Sequence, residues 1–262
     1  MNPAEFGALA NVERHHWFYH GKREIVRHWV RALVSLRPED VLVDVGAGTG
    51  QLVLEFSDTC NAIGVEPHPH GVAIAGRKAI CLLQGSVTAL PVASDAATVV
   101  TALDVLEHVE DDAGALAELV RITRPGGIII IHVPAFQLLW SDWDESLGHK
   151  RRYTKPSLLA LVNRADLRVQ RCTYVNTVAF GPVLGYRWVR TWLGARRRLE
   201  DRVPSAWLNR ILFTLFVAPA CWRWLSPPFG ISILCIVQKQ VADRRPTRAA
   251  PGSLVGEMVH SG

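Results

Sequence analysis

The chain is poor in the residues that staple a fold or span a membrane. Its 262 residues include five cysteines, Cys60, Cys81, Cys172, Cys221 and Cys235, with no C-x-x-C pair among them. An odd, scattered set argues against a secreted disulfide framework and a cysteine-built zinc cluster, and fits a reducing cytoplasm. The start, Met1-Asn-Pro-Ala-Glu-Phe6, lacks a basic stretch followed by an apolar one, so no signal peptide is expected. Long apolar runs are missing as well. The longest, Ile211 to Trp222, is broken by Pro219 and is far short of the roughly 20 residues that cross a bilayer.

Charge of one sign is also scarce over most of the chain. The net charge is +5 with a pI near 9.1. The excess lies between Val183 and Leu225, where arginines 187, 190, 196, 197, 198, 202, 210 and 223 face only Glu200 and Asp201. Five of the nine tryptophans, 188, 192, 207, 222 and 224, share that segment. Any basic surface is therefore local, and no nucleic-acid partner is expected.

What is present is an alternation of short apolar strands and helices. Phe6 to Leu36 has helical spacing through Ile25, Trp29 and Leu33. Val41–Val45, Ala62–Glu66, Ile80–Gln84, Ala97–Leu103, Gly127–Val133, Leu167–Tyr174 and Gly230–Lys239 read as strands. Helices are expected at 51–56, 72–79, 113–123 and 155–165, and 135–154 reads as a polar, aromatic loop. This pattern predicts an α/β, doubly wound, Rossmann-like sheet. The expected organisation is an N-terminal helical lid (1–37), a core domain (38–174 and 230–240), a helical cap insertion (175–229) and a flexible tail (241–262).

Chemistry enters at the first strand-turn-helix. Gly46, Gly48 and Gly50 follow a buried strand and precede a helix, so the backbone can turn sharply and approach a ligand closely. Twenty residues after Gly46, at the next strand end, stands Glu66, placed to accept both hydroxyls of a ribose. Glycine triplets alone occur in many turns; the triplet in register with the acid is what points to a nucleoside cofactor. The spacing is G-x-G-x-G rather than the dinucleotide G-x-G-x-x-G, which disfavours a nicotinamide oxidoreductase.

Val41-Leu-Val-Asp-Val-Gly-Ala-Gly-Thr-Gly50, Gly64-Val-Glu66, Gly85-Ser-Val-Thr-Ala-Leu-Pro91, Asp104-Val-Leu-Glu-His-Val109 and Leu119-Val-Arg-Ile-Thr-Arg-Pro-Gly-Gly127 stand in order. Over residues 38–135 the chain thus resembles the class I S-adenosylmethionine-dependent methyltransferases. The resemblance implies a seven-stranded sheet whose last strand is antiparallel, with the helical insertion just before it, and S-adenosylmethionine as cofactor. Asp44, Gly46 and Gly48 would then face its methionine part, with Gly50 completing the turn. Glu66 would hold the ribose, Ser86 and Val87 the adenine, and Leu103 and Asp104 would lie nearest the sulfonium. Ser86 departs from the acid many relatives carry there. Asp44 and Asp104 also have a plainer reading, as helix-capping carboxylates.

Methyl transfer needs an aligned acceptor and a proton acceptor, and no metal. His108, Asp142, His149 and Tyr153 are the candidate proton acceptors, with His108 equally readable as a solvated helix face. Gly148-His-Lys-Arg-Arg-Tyr153 and Glu13-Arg-His-His-Trp-Phe-Tyr19 resemble a subgroup associated with polysaccharide and glycolipid pathways. Arg151 or Arg152 would clamp a phosphate or carboxylate of the acceptor. Trp17 and Tyr19 would close over it, or simply pack on the sheet. His15 and His16 lack the spacing of a helical metal pair. The arginine- and tryptophan-rich segment 183–225 has the composition of an interfacial membrane helix; a substrate cap and an oligomer contact are the alternatives. The expected function is O-methylation of an amphipathic or lipid-linked, saccharide-bearing small molecule, in the cytoplasm or at the inner membrane face. A non-catalytic cofactor-binding module and an N-methyltransferase of a soluble metabolite remain the competing readings.

Overall fold

The computed structural model describes residues 7, 10, 12–165, 167–185 and 203–241. The expected tail beyond Val241 and the stretch 186–202, with Tyr186, Val189, Trp192 and Leu193, lie outside them.

At the centre is Ile128-Ile-Ile-Ile131, whose side chains are all buried because both faces of the sheet are covered. Seven strands run in the order β3-β2-β1-β4-β5-β7-β6. They are β1 (Val41–Val45), β2 (Asn61–Glu66), β3 (Leu82–Gln84), β4 (Ala97–Leu103), β5 (Thr123–Pro134), β6 (Leu167–Val175) and β7 (Ser232–Lys239). The first five are parallel, and β7 enters antiparallel between β5 and β6, with Ile130 opposite Ile236. The strand order reverses beside β1, so the carboxyl ends of β1 and β4 open onto the crevice where such sheets bind ligands.

The helices are α1 (Trp17–Leu33), α2 (Gln51–Phe56), α3 (Pro69–Gly76), α4 (Asp112–Ile122), α5 (Asp142–Leu147), α6 (Lys155–Val162) and α7 (Ala206–Cys221). The long helix expected from Phe6 is interrupted by a turn at 13–15 and restarts at Trp17. Tertiary contacts fix that start. The Asn209 amide donates to the His15 carbonyl (2.7 Å) and accepts from the Trp17 N–H (2.8 Å), while the Arg23 guanidinium donates to the Glu13 carbonyl (2.8 Å). The stretch 135–154 is less irregular than expected: α5 forms within it, started by a reciprocal capping box between Ser141 and Asp144.

Helix α7, the described part of the insertion, packs along α1. The Trp29 indole N–H donates to the Ala220 carbonyl (3.1 Å), and Phe216 stacks on Phe18 at 5.7 Å. Gly21 permits this approach, since a Cβ there would sit 2.6 Å from the Phe216 ring. Phe216 and Ala220 are buried with Ile25, Trp29, Ile130 and Leu234, so α1 and α7 share one face of the sheet. The other side of α7 exposes Trp207, Ile211 and Leu215.

Candidate functional site

Gly46, Gly48 and Gly50 all adopt positive φ (73°, 58° and 81°), a conformation that favours glycine. The turn is tied to β2 by Gly46 and Ala47, whose N–H groups donate to the Val65 carbonyl at 2.8 and 3.1 Å. A side chain at Gly46 would meet Val105 at 2.6 Å. Glu66 is buried and turned inward: one oxygen accepts the Gly48 N–H (2.8 Å), the other the His68 N–H (3.0 Å). Burial raises its pKa despite these two bonds. Each carboxylate oxygen keeps a further lone pair, which is what a ribose diol needs. The residues therefore fit an adenosyl cofactor.

Asp44 lies buried beneath the turn and accepts the Thr101 hydroxyl at 2.6 Å. Burial pushes its pKa up to about 7, with the neighbouring Glu66 charge adding to the rise. It caps no helix. Ser86 and Val87 follow β3 beside the end of β2; Ser86 is exposed and paired with the Thr88 hydroxyl, while Val87 belongs to the core.

Leu103 ends β4 and pairs with His132 of β5. Asp104 then turns at φ 56° and collects two partners. One is the Lys22 ammonium of α1; the other is His132 Nδ1 at 2.7 Å. Burial works to raise the Asp104 pKa, but these two partners outweigh it and hold the carboxyl well below its usual range. The His132 Nε2 is buried without a partner, and the Phe18 ring stands edge to face with the imidazole, centroids 6.1 Å apart. Sequence reasoning missed Lys22 and His132. A single histidine inside an isoleucine run was a signal for the second; nothing local marked the first.

The N-terminal segment reaches over the glycine turn. Glu13 accepts the Thr49 hydroxyl, and Arg14 donates to the Gln51 amide at 3.3 Å. Trp17 stands edge-on to Phe216 at 5.9 Å, and the Lys22 ammonium lies 5.2 Å from the Tyr19 ring centroid.

Three residues expected to face the acceptor are engaged inside the protein. Arg152 is almost fully buried and bidentate to Asp144 (2.7 and 3.0 Å), so it is no free anion clamp. Arg151 pairs with Asp112 at 3.0 Å and donates to the Glu110 carbonyl at 2.8 Å. The buried Tyr153 phenol donates to Asp112 at 2.8 Å, and burial with that bond pushes its pKa far up, the wrong direction for a base. The expected anion clamp, Arg151 or Arg152, is thus met by ion pairs to Asp112 and Asp144, and the expected proton acceptor Tyr153 by a buried hydrogen bond. His108 and His149 do come together, with ring centroids 4.7 Å apart and edge to face. His149 Nδ1 bonds Asp144 at 2.8 Å. Asp142 begins α5.

Residues 43–131 match the family model described as a methyltransferase domain. An uncharacterized methyltransferase of Mycobacterium leprae (strain Br4923) is 36% identical over 96 residues, 35% of this chain and 36% of that protein. One of Mycobacterium tuberculosis (strain ATCC 25618 / H37Rv) is 36% identical over 114 residues, covering 41% and 44%. The chain thus spans under half the length of the curated relatives it matches. A Thermotoga maritima structure, described as an S-adenosylmethionine-dependent methyltransferase and possible histamine N-methyltransferase, superposes with a TM-score of 0.58 at 19% identity. That superposition covers 90% of this chain and 96% of the other. The architecture is the class I methyltransferase fold, and the methyltransferase-domain match implies S-adenosylmethionine as cofactor.

Proposed function

We propose that the protein transfers a methyl group from S-adenosylmethionine to an oxygen of an amphipathic or lipid-linked, saccharide-bearing acceptor. The observation that carries the first half is Glu66, held inward by the Gly48 and His68 N–H groups with lone pairs left for a sugar diol. When bound, the cofactor supplies an already activated methyl group on a cationic sulfur. Glu66 and the glycine turn bind it. Asp104 and His132 act at the end of β4, where the Asp104 carboxylate fixes His132 Nδ1 and leaves Nε2 to take the acceptor proton. Lys22 neutralises the same carboxylate and ties α1 over the crevice, excluding water. In this reading the described residues from 12 to 37 form the lid and α7 the cap.

The acceptor class rests on the surface of α7 and the segment after it. Trp207, Ile211, Leu215, Trp222 and Trp224 are exposed beside Arg210 and Arg223. Indole and guanidinium around an apolar ridge suit an anionic lipid surface. Among the described residues no helix is long and apolar enough to cross a membrane, so the contact proposed is peripheral. The test incubates the protein with labelled S-adenosylmethionine and separate lipid and polar extracts of its host. Label in the lipid extract is the expected result; label only in polar products overturns the acceptor assignment. Calorimetric binding of S-adenosylhomocysteine but not NAD tests the cofactor half.

A further inference from the structure

A second cluster lies on the loops beyond the β4 and β5 ends. Glu107 and His108 sit in the short 3-10 turn after β4, and His149 directly follows α5. The two loops are joined by the Lys150 N–H donating to the Glu107 carbonyl at 2.7 Å. The Glu107 side chain is completely buried, yet neither carboxylate oxygen has a hydrogen-bond partner. A buried acid left so is costly unless something charged or hydrogen-bonding occupies the space before it. One donor atom from each of Glu107, His108 and His149 lies within 4.8 Å of the others.

The surroundings are those of a ligand set held from behind. Asp144 takes His149 Nδ1 and thereby leaves Nε2 for a ligand, and Asp144 is itself clamped by Arg152 through Nε and Nη2. His108 packs edge to face on His149 with ring centroids 4.7 Å apart, which brings the two imidazoles into one cluster. Carboxylate or carbonyl behind histidine is the usual means of fixing a metal-binding tautomer.

We propose that Glu107, His108 and His149 bind one divalent transition-metal ion of the zinc class, with Asp144 and Arg152 orienting His149. Two imidazoles and one carboxylate are borderline ligands that suit zinc, cobalt, nickel or iron rather than magnesium or calcium. Bonds of about 2.1 Å in tetrahedral geometry bring donors to about 3.4 Å apart, a closure that side-chain rotation on these loops supplies. Three protein ligands leave a position for an oxygen, from water or from the acceptor; only the acceptor arm rests on the methyltransferase reading. The proposal departs from the sequence expectation of no metal, because Glu107 and His108 lie 42 and 41 residues before His149 and no spacing pattern joins them.

The test is a cobalt(II) titration of the metal-stripped full chain, followed by visible d–d absorption. One tightly bound equivalent is expected. His149→Ala and His108→Ala should weaken it by about 100-fold or more, and Asp144→Asn by about 10- to 100-fold. His28→Ala and His70→Ala, on exposed imidazoles, should leave it unchanged. Circular dichroism and S-adenosylhomocysteine binding check each variant's fold independently of the metal. No stoichiometric binding by the wild type, or binding that survives both histidine substitutions in folded protein, overturns the proposal. Should Glu107→Gln fail to fold, the histidine variants decide alone.

Discussion

Asp44→Asn tests the electrostatics beneath the glycine turn. Asp44 is buried, its one described side-chain hydrogen bond comes from Thr101, and burial moves its pKa from 3.8 to about 7. A carboxyl whose folded pKa is raised contributes stability that is complete below about pH 4, where both states are protonated. That contribution is lost as the pH climbs through about 7, because the unfolded chain releases the proton first. The span corresponds to about 4 kcal/mol, an order-of-magnitude figure. Asparagine keeps the shape and can still accept from Thr101, but it does not titrate. Urea unfolding of both proteins at about pH 4 and about pH 8 isolates this group, since other titrations cancel in the difference. The wild type should lose about 4 kcal/mol relative to the variant between those points. A difference that stays flat to within about 1 kcal/mol would refute the buried, proton-holding role assigned to Asp44.

Glu66→Ala should abolish measurable S-adenosylhomocysteine binding in calorimetry, whereas His132→Ala should spare binding and slow methyl transfer by about 100-fold or more. Equal loss of both properties in both variants contradicts that division of labour. Gly21→Ala should destabilise by about 1 to 3 kcal/mol in denaturant titration, because the added methyl meets Phe216 at 2.6 Å and overpacking outweighs alanine's better helix propensity. Tyr153→Phe should cost about 1 kcal/mol of stability while preserving turnover, since Asp112 keeps Arg151 as partner. Turnover lost without a stability change would restore Tyr153 to the chemistry. Trp207→Ala with Trp224→Ala should reduce sedimentation with anionic vesicles and leave S-adenosylhomocysteine binding intact; unchanged sedimentation removes the lipid surface from the account.

The sheet was readable because its central strands are short, apolar on both faces and separated by helices, which leaves little choice of architecture. Glycine turn and Glu66 were readable for a related reason: strand, turn and next strand lie close in sequence. The start of α1 was not, because Asn209 sets it from about two hundred residues away. Capping signals were available and overlooked at Ser141 and Asp144, where a serine followed three positions later by an acid starts α5. Arg152 and Tyr153 were misjudged because a cation or phenol in a polar loop looks free until the fold brings Asp144 and Asp112 against it. Lys22 shows the same limit from the other side, since its value lies wholly in meeting Asp104 across 82 residues.

The amino-terminal stretch is latched at two rims of the crevice, by Glu13 on Thr49 and by Lys22 on Asp104. On the proposed reading, exchange of spent cofactor for fresh asks both fastenings to open. On that reading, removing either one hastens unloading while loosening the grip on whatever is loaded, so speed and retention trade against each other at a segment that carries no part of the sheet.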